Sequence, residues 1–170
     1  MEWTAAVRDG LIWSVLWSLP ITLIEIAWPQ IFLHDYPREL QEVITLPPLN
    51  GKRKIAAYTF TFCWIFLVIA FLFWSELSSY CSAPTSFGVL FLHAYVMAFI
   101  WNFLDLVIMD WGIFCTWQPA FIVLPGSERH PAYRDYHFHF IGFLKGCIIS
   151  AIGASICAGI SFVILSYFIW

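Results

Sequence analysis

The chain has 170 residues, of which 61% are hydrophobic and 20% aromatic, while only 11% are charged and the formal net charge is −3. A soluble domain carries roughly a quarter charged residues, so too few charges are present to cover a water-exposed surface, and lipid must solvate much of this chain. The acidic balance, with no basic run longer than Lys52-Arg53-Lys54, argues against a nucleic-acid partner.

A membrane-crossing helix needs about 20 predominantly apolar residues. Four segments meet that requirement, which predicts an all-α, polytopic membrane protein built as a bundle of four transmembrane helices in a single domain over 1–170. The first helix is predicted over about 11–32, with Pro20 expected to kink it and Glu25 set among apolar residues. A polar connection follows, rich in Pro37, Pro47, Pro48, Asn50 and Gly51. The second helix is predicted over about 55–77 and is joined by a short uncharged link to the third, over about 87–114. That third helix carries His93, Asn102, Asp105 and Asp110. The next connection starts apolar and turns polar at Ser127, and is expected to lie in the membrane interface, in part re-entrant. The fourth helix is predicted over about 138–170, and its part from Gly146 onward has no charge. Along it Gly142, Gly146, Ser150, Ala154 and Ala158 recur every four residues, a ridge of small side chains that lets a neighbouring helix approach closely. Packing within the bundle is the expected use of that ridge, ahead of a homo-oligomer or a larger membrane complex, since three other helices also need partners.

Basic residues set the orientation. The two long connections hold Arg38, Lys52, Arg53, Lys54, Arg129 and Arg134, against Arg8 alone on the other side. Both long loops are therefore expected to be cytoplasmic. The five cysteines form no C-x-x-C pair and read as free thiols serving as small apolar groups.

A carboxylate in hydrocarbon costs several kcal/mol unless it is paired or neutralised. Glu25, Asp105 and Asp110 are therefore the candidate catalytic groups, as acids or bases. Counting about 1.5 Å of rise per residue from the loop end puts Glu25, Asp105 and Lys145 in one layer. Asp110 is shallower. Asn102 shares a helix face with Asp105. Lys145 is expected to neutralise one carboxylate, and the remainder to hold a proton or a ligand. Asn102, Trp111, His130, His137 and Lys145 are the candidate ligand-contacting residues, with His130 or His137 within reach of Asp110 as a proton relay. Asp135, His137 and His139 alternate and would share a face if extended. They lead into a helix, however, so no metal or other cofactor is assigned. Glu76 and His93, near the opposite boundary, are close enough in depth to pair, but solvation at helix ends explains both and no role is assigned to them. The phosphate-binding, metallohydrolase and serine-hydrolase signatures are missing.

The run from Trp101 to Trp111 contains an N-x-x-D-x-x-x-x-D-W pattern at Asn102, Asp105, Asp110 and Trp111, followed by the helix start His139-Phe140-Ile141-Gly142-Phe143-Leu144-Lys145-Gly146. Over about the C-terminal half, it resembles a functionally uncharacterised family of bacterial four-helix integral membrane proteins, a likeness that implies no activity. Leu19-Pro20-Ile21-Thr22-Leu23, Tyr36-Pro37-Arg38-Glu39-Leu40 and His93 are similar to segments of the sterol-isomerase and sigma-2-receptor superfamily. The second and third helices depart from that superfamily, and the resemblance implies only a pocket for a lipophilic ligand. Membrane lipid and a small lipophilic molecule are thus the expected partners. The function expected is binding or acid/base processing of that molecule at the carboxylates. An accessory or assembly role without catalysis, and a proton-coupled transport component, are the alternatives.

Overall fold

A computed structural model describes all residues 1–170. It is entirely helical, with the order α1 (Trp3–Ala27), α2 (Arg38–Val43), α3 (Gly51–Tyr80), α4 (Phe87–Leu104) and α5 (Tyr136–Ile164). Asp105–Trp117 continues α4, and Leu165–Ile169 continues α5, as wider π-helical winding. Four of these helices are long and apolar enough to cross a membrane. This is the architecture of a multi-pass membrane protein.

The first span begins at Trp3 and ends at Ala27, several residues ahead of the expected boundaries at both ends. At its start, Arg8 and Asp9 fit inside the helix because Asp9 is only 1% exposed and ion-paired to Arg8 at 2.7 Å. At its end, Pro29 restricts the residue before it, and Trp28 leaves the helical region at φ −144°. The chain then descends through short 3-10 turns and α2 rather than continuing the helix.

Pro20 lies inside α1 and cannot donate to the carbonyl of Leu16, four residues back. The indole of Trp64 on α3 donates to that carbonyl instead, at 2.9 Å. One turn away, the Trp13 indole donates to the Val68 carbonyl at 2.7 Å. A backbone group freed by proline thus becomes one of the stitches between α1 and α3, in a setting where no water would satisfy it.

Tryptophans fill the centre of the bundle. Trp17 and Trp101 are stacked with centroids 4.6 Å apart, and Trp64 meets Trp17 edge-on at 4.7 Å. Trp13 closes against both Trp17 and Trp101. On the small-residue ridge of α5, Ala154 and Ala158 are buried, and Gly146 lies against Asn102 of α4. A Cβ on Gly146 would be 2.5 Å from Asn102 Oδ1, so only glycine admits that approach. The ridge packs inside the bundle, as expected.

The segment before α5 is no slack interfacial strand. Ile122, Leu124 and Tyr133 bury themselves with Tyr36, Leu40, Ile44, Phe114 and Cys115 in a second core. The Tyr36 hydroxyl donates to the Ile122 carbonyl at 3.0 Å, and Thr45 N–H donates to the Pro125 carbonyl at 3.0 Å. Gly126 turns with φ +91°, and a Cβ there would strike the Val43 carbonyl at 2.5 Å. The two long connections therefore form one cap on one end of the bundle.

Candidate functional site

Beneath that cap lies a cavity of about 470 Å³. Its walls come from α1 (Trp17, Ile21, Glu25), from the descending turns (Ile31, Phe32, His34, Asp35), from α3 (Thr61, Trp64, Ile65), from α4 and its π continuation, and from the start of α5. Ile122 of the cap completes it. Glu25, Asp35, Asp105 and Asp110 all line this space, and no lysine or arginine does.

The π winding explains why Asp105 and Asp110 share it. Five residues apart on a regular α-helix, two side chains diverge by about 140°. In the wider turn of a π-helix, about 4.4 residues, that divergence shrinks to about 50°. Asp105, Met109, Asp110 and Phe114 accordingly present one face to the cavity. Gln118, at φ 51°, ends this stretch, and its N–H returns to the Ile113 carbonyl at 2.8 Å.

Asn102 lines the cavity one turn deeper and is anchored to α5. Its amide donates to the Phe143 carbonyl at 3.0 Å and to Cys147 Sγ at 3.4 Å. These bonds fix the α4–α5 distance beside the carboxylates and leave Asn102 Oδ1 crowded against Gly146.

Histidine enters the site at a position different from those expected. His139, only 5% exposed, places Nδ1 3.0 Å from Asp110 Oδ1. His137 is exposed, and His130 uses Nδ1 to accept the Ala132 N–H at the start of a 3-10 turn. Neither of these two lines the cavity. Alternation explains the swap: two residues apart on a helix point in nearly opposite directions, so only one of His137 and His139 faces inward. A carboxylate beside Nδ1 favours a proton on that nitrogen, and Nε2 has no partner within the protein.

Of the other expected residues, Trp111 stands aside from the cavity and donates its indole N–H to the Tyr136 carbonyl at 3.2 Å. Lys145 is exposed on α5 and has no carboxylate within 4.0 Å. The expected counter-ion is therefore missing from the layer, and the carboxylates face one another without a cation. Two residues absent from the sequence-based list, His34 and Asp35, join the mouth of the site, paired at 3.3 Å. Nothing in their local pattern marks them, because only the turn after Pro29 folds them back over the bundle.

The decisive feature is a set of unsatisfied polar atoms. Trp17 Nε1, Trp101 Nε1, Glu25 Oε2 and His139 Nε2 are buried without a hydrogen-bond partner, and all four belong to residues lining this one cavity. Buried indole N–H groups ordinarily find an acceptor, and an orphaned buried polar group costs roughly 1–3 kcal/mol. Two stacked indoles offer donors, while a carboxylate and an imidazole offer acceptors.

At the cap, titration follows burial. Tyr36 is 3% exposed, and loss of water together with the Glu25 carboxylate pushes its phenol well above the ordinary range, so it stays a neutral donor. Asp35 is pushed up by loss of water on its cavity side, against a downward pull from His34; Asp110 adds a further upward push and His139 a smaller downward one. Its side chain remains 60% exposed to the outside, which limits that rise.

At the opposite end of the bundle a second polar group is sealed. Asp9 Oδ2 accepts from the Ser75 hydroxyl at 2.6 Å, and His93 Nε2 lies 2.9 Å from the same hydroxyl oxygen. Since Ser75 spends its only proton on Asp9, His93 donates from Nε2 and accepts the Tyr80 hydroxyl at Nδ1, 3.3 Å away. Ser75, Glu76 and His93 are all fully buried, so the expectation of solvated helix ends fails there. Glu76 does not meet His93 but accepts from Ser161 of α5 at 2.6 Å. No family model, curated protein or solved structure matches the chain, so the site is defined by its own geometry.

Proposed function

We propose that the capped cavity binds a small lipophilic molecule that carries a polar head. Four residues lining it, Trp17, Trp101, Glu25 and His139, each carry a buried polar atom without a partner, and this supports the reading more than any other observation. A head with an accepting oxygen would satisfy the two indoles, and a donor on it would satisfy Glu25. The apolar remainder would lie against Ile21, Ile65, Phe138 and Phe143. Entry between α3 and α5 fits this reading. The hydrogen bonds joining α3 to the C-terminal helix, from Ser161 to Glu76 and from Trp170 to the Tyr80 carbonyl, are both at the far end. The six basic residues of the long connections against Arg8 favour a cytoplasmic loop end and cap, and the resemblance of the Asn102–Trp111 motif favours a bacterial plasma membrane.

Acid/base processing of the same molecule is favoured by one specific observation. Asp110 lies 3.0 Å from Nδ1 of His139, which lines the cavity and has an unpartnered Nε2, so a carboxylate and an imidazole stand together as a general base and its positioning group would. Proton transport through the bundle finds less support, because Trp13, Trp17, Trp64 and Trp101 pack between the two polar ends.

Native mass spectrometry of the gently solubilised protein tests the proposal. The parent is expected to retain a specific small molecule. Trp17→Phe with Trp101→Phe removes both donors and should weaken retention by roughly three- to tenfold per indole. Asp105→Asn of equal thermal stability serves as a further variant. A parent that emerges empty, and is indistinguishable from the variants, would turn the assignment to an accessory membrane protein.

A further inference from the structure

A second recess lies outside the cavity, where the last turn of α1 meets the first turns of α3. It is a shallow, open recess of about 530 Å³ lined by Ile26, Ala27, Trp28, Lys52, Arg53 and Ala56. Neither cation has a carboxylate within 4.0 Å. The Arg53 guanidinium lies 3.4 Å from the Ala27 carbonyl, which holds it over the end of α1. Below the two cations the wall is apolar and faces outward, with Ile26 55% exposed. Trp28, packed on Phe60, sits at the end of one membrane-crossing helix, beside the start of the next. An unpaired cationic pair directly above an outward-facing apolar trough, at the level where spans give way to loops, has the two-part chemistry of a phospholipid.

We infer that this recess is a binding site for one anionic phospholipid, with Lys52 and Arg53 on the headgroup phosphate and an acyl chain along Ile26 and Ala56. The reading is independent of the cavity proposal. Arg and Lys near an anionic membrane surface each contribute enough to favour an acidic lipid several-fold. Two together should make the preference for phosphatidylglycerol over phosphatidylcholine of the same chains about five- to thirtyfold.

Lipid retention on the full chain, measured by native mass spectrometry at matched lipid concentrations, decides the matter. Lys52→Ala with Arg53→Ala should abolish the preference. Arg129→Ala with Arg134→Ala removes the same charge from the same end of the bundle and should leave it intact. Ala56→Trp keeps both cations and fills the trough, and should also release the lipid. An equal loss in both charge variants would reduce the effect to general attraction and overturn the site. Retention unchanged in Ala56→Trp would remove the trough, and competition by millimolar inorganic phosphate as effective as that by lipid would make the ligand a free anion instead.

Discussion

The two ends of the bundle use buried polar groups in opposite ways. At the terminal end, Asp9, Ser75, His93 and Tyr80 form a chain in which each proton has an acceptor, and Arg8 closes it at the surface, while Oε1 of the neighbouring Glu76 is the one orphaned side-chain atom there. At the loop end, Glu25, Asp105, Asp110 and His139 surround an opening, and the indoles beside them have nothing to donate to. Equal burial of polar groups therefore carries different meanings. A satisfied network holds helices together, and in apolar surroundings it does so strongly because the alternative is an unpaired group. An unsatisfied set around a void calls for a separate explanation, and a bound molecule is the one proposed above.

The comparison breaks first at the sealed end. His93→Leu leaves both Ser75 and Tyr80 short of a partner and should destabilise the fold by about 2–3 kcal/mol, read from reversible unfolding in mixed micelles. Ligand retention at the other end should be untouched, and a loss of retention there would show the two ends to be coupled. Next in size is Gly146→Val, which drives side-chain atoms into Asn102 and should cost about 1–3 kcal/mol. That variant should weaken binding as well as stability, because α4 and α5 can no longer close beside the carboxylates.

Smaller in stability, and sharper in meaning, is Glu25→Gln. If Glu25 serves a ligand and not the fold, the ligand-free protein should shift by less than about 1 kcal/mol, while ligand retention falls several-fold. A large loss of stability in the ligand-free protein would instead make the loop-end carboxylates structural. The smallest effect belongs to Asp35. Its carboxyl is held above the ordinary range in the folded protein, so the folded state takes up its charge less readily than the unfolded chain, and stability drains away as pH rises past about 4. Asp35→Asn removes that drain. The variant should gain on the parent between about pH 4 and neutrality in a thermal series, and a gain in the opposite direction would mean His34 dominates the site.

Much of the architecture was legible from composition. Length and hydropathy alone mark four spans, and the ridge on α5 announces close packing, since only small side chains permit it. Glu25, Asp105, Asp110 and Asn102 stand out in the sequence because polar groups in apolar runs are costly, and all four line the cavity. Depth counting misplaces Lys145, because rise along a helix says nothing about direction around it, and its side chain faces outward. The same blindness to direction chooses His137 over His139. The mouth residues lay beyond both kinds of reasoning: His34 and Asp35 reach the cavity through a reversal after Pro29 that no periodic pattern encodes.

What the sequence by itself determined is the solvent and the element type: too few charges for water, and four apolar runs whose backbone groups can be satisfied in lipid only by helices. What only the tertiary structure decided is which polar groups meet. A π winding turns Asp110 to the side of Asp105, a proline frees a carbonyl for Trp64, and two loops far apart in the chain bury Tyr36 against Ile122 to cap the cavity. Those outcomes depend on the direction each side chain takes around its helix and on contacts between distant segments, and neither quantity is written in local order along the chain.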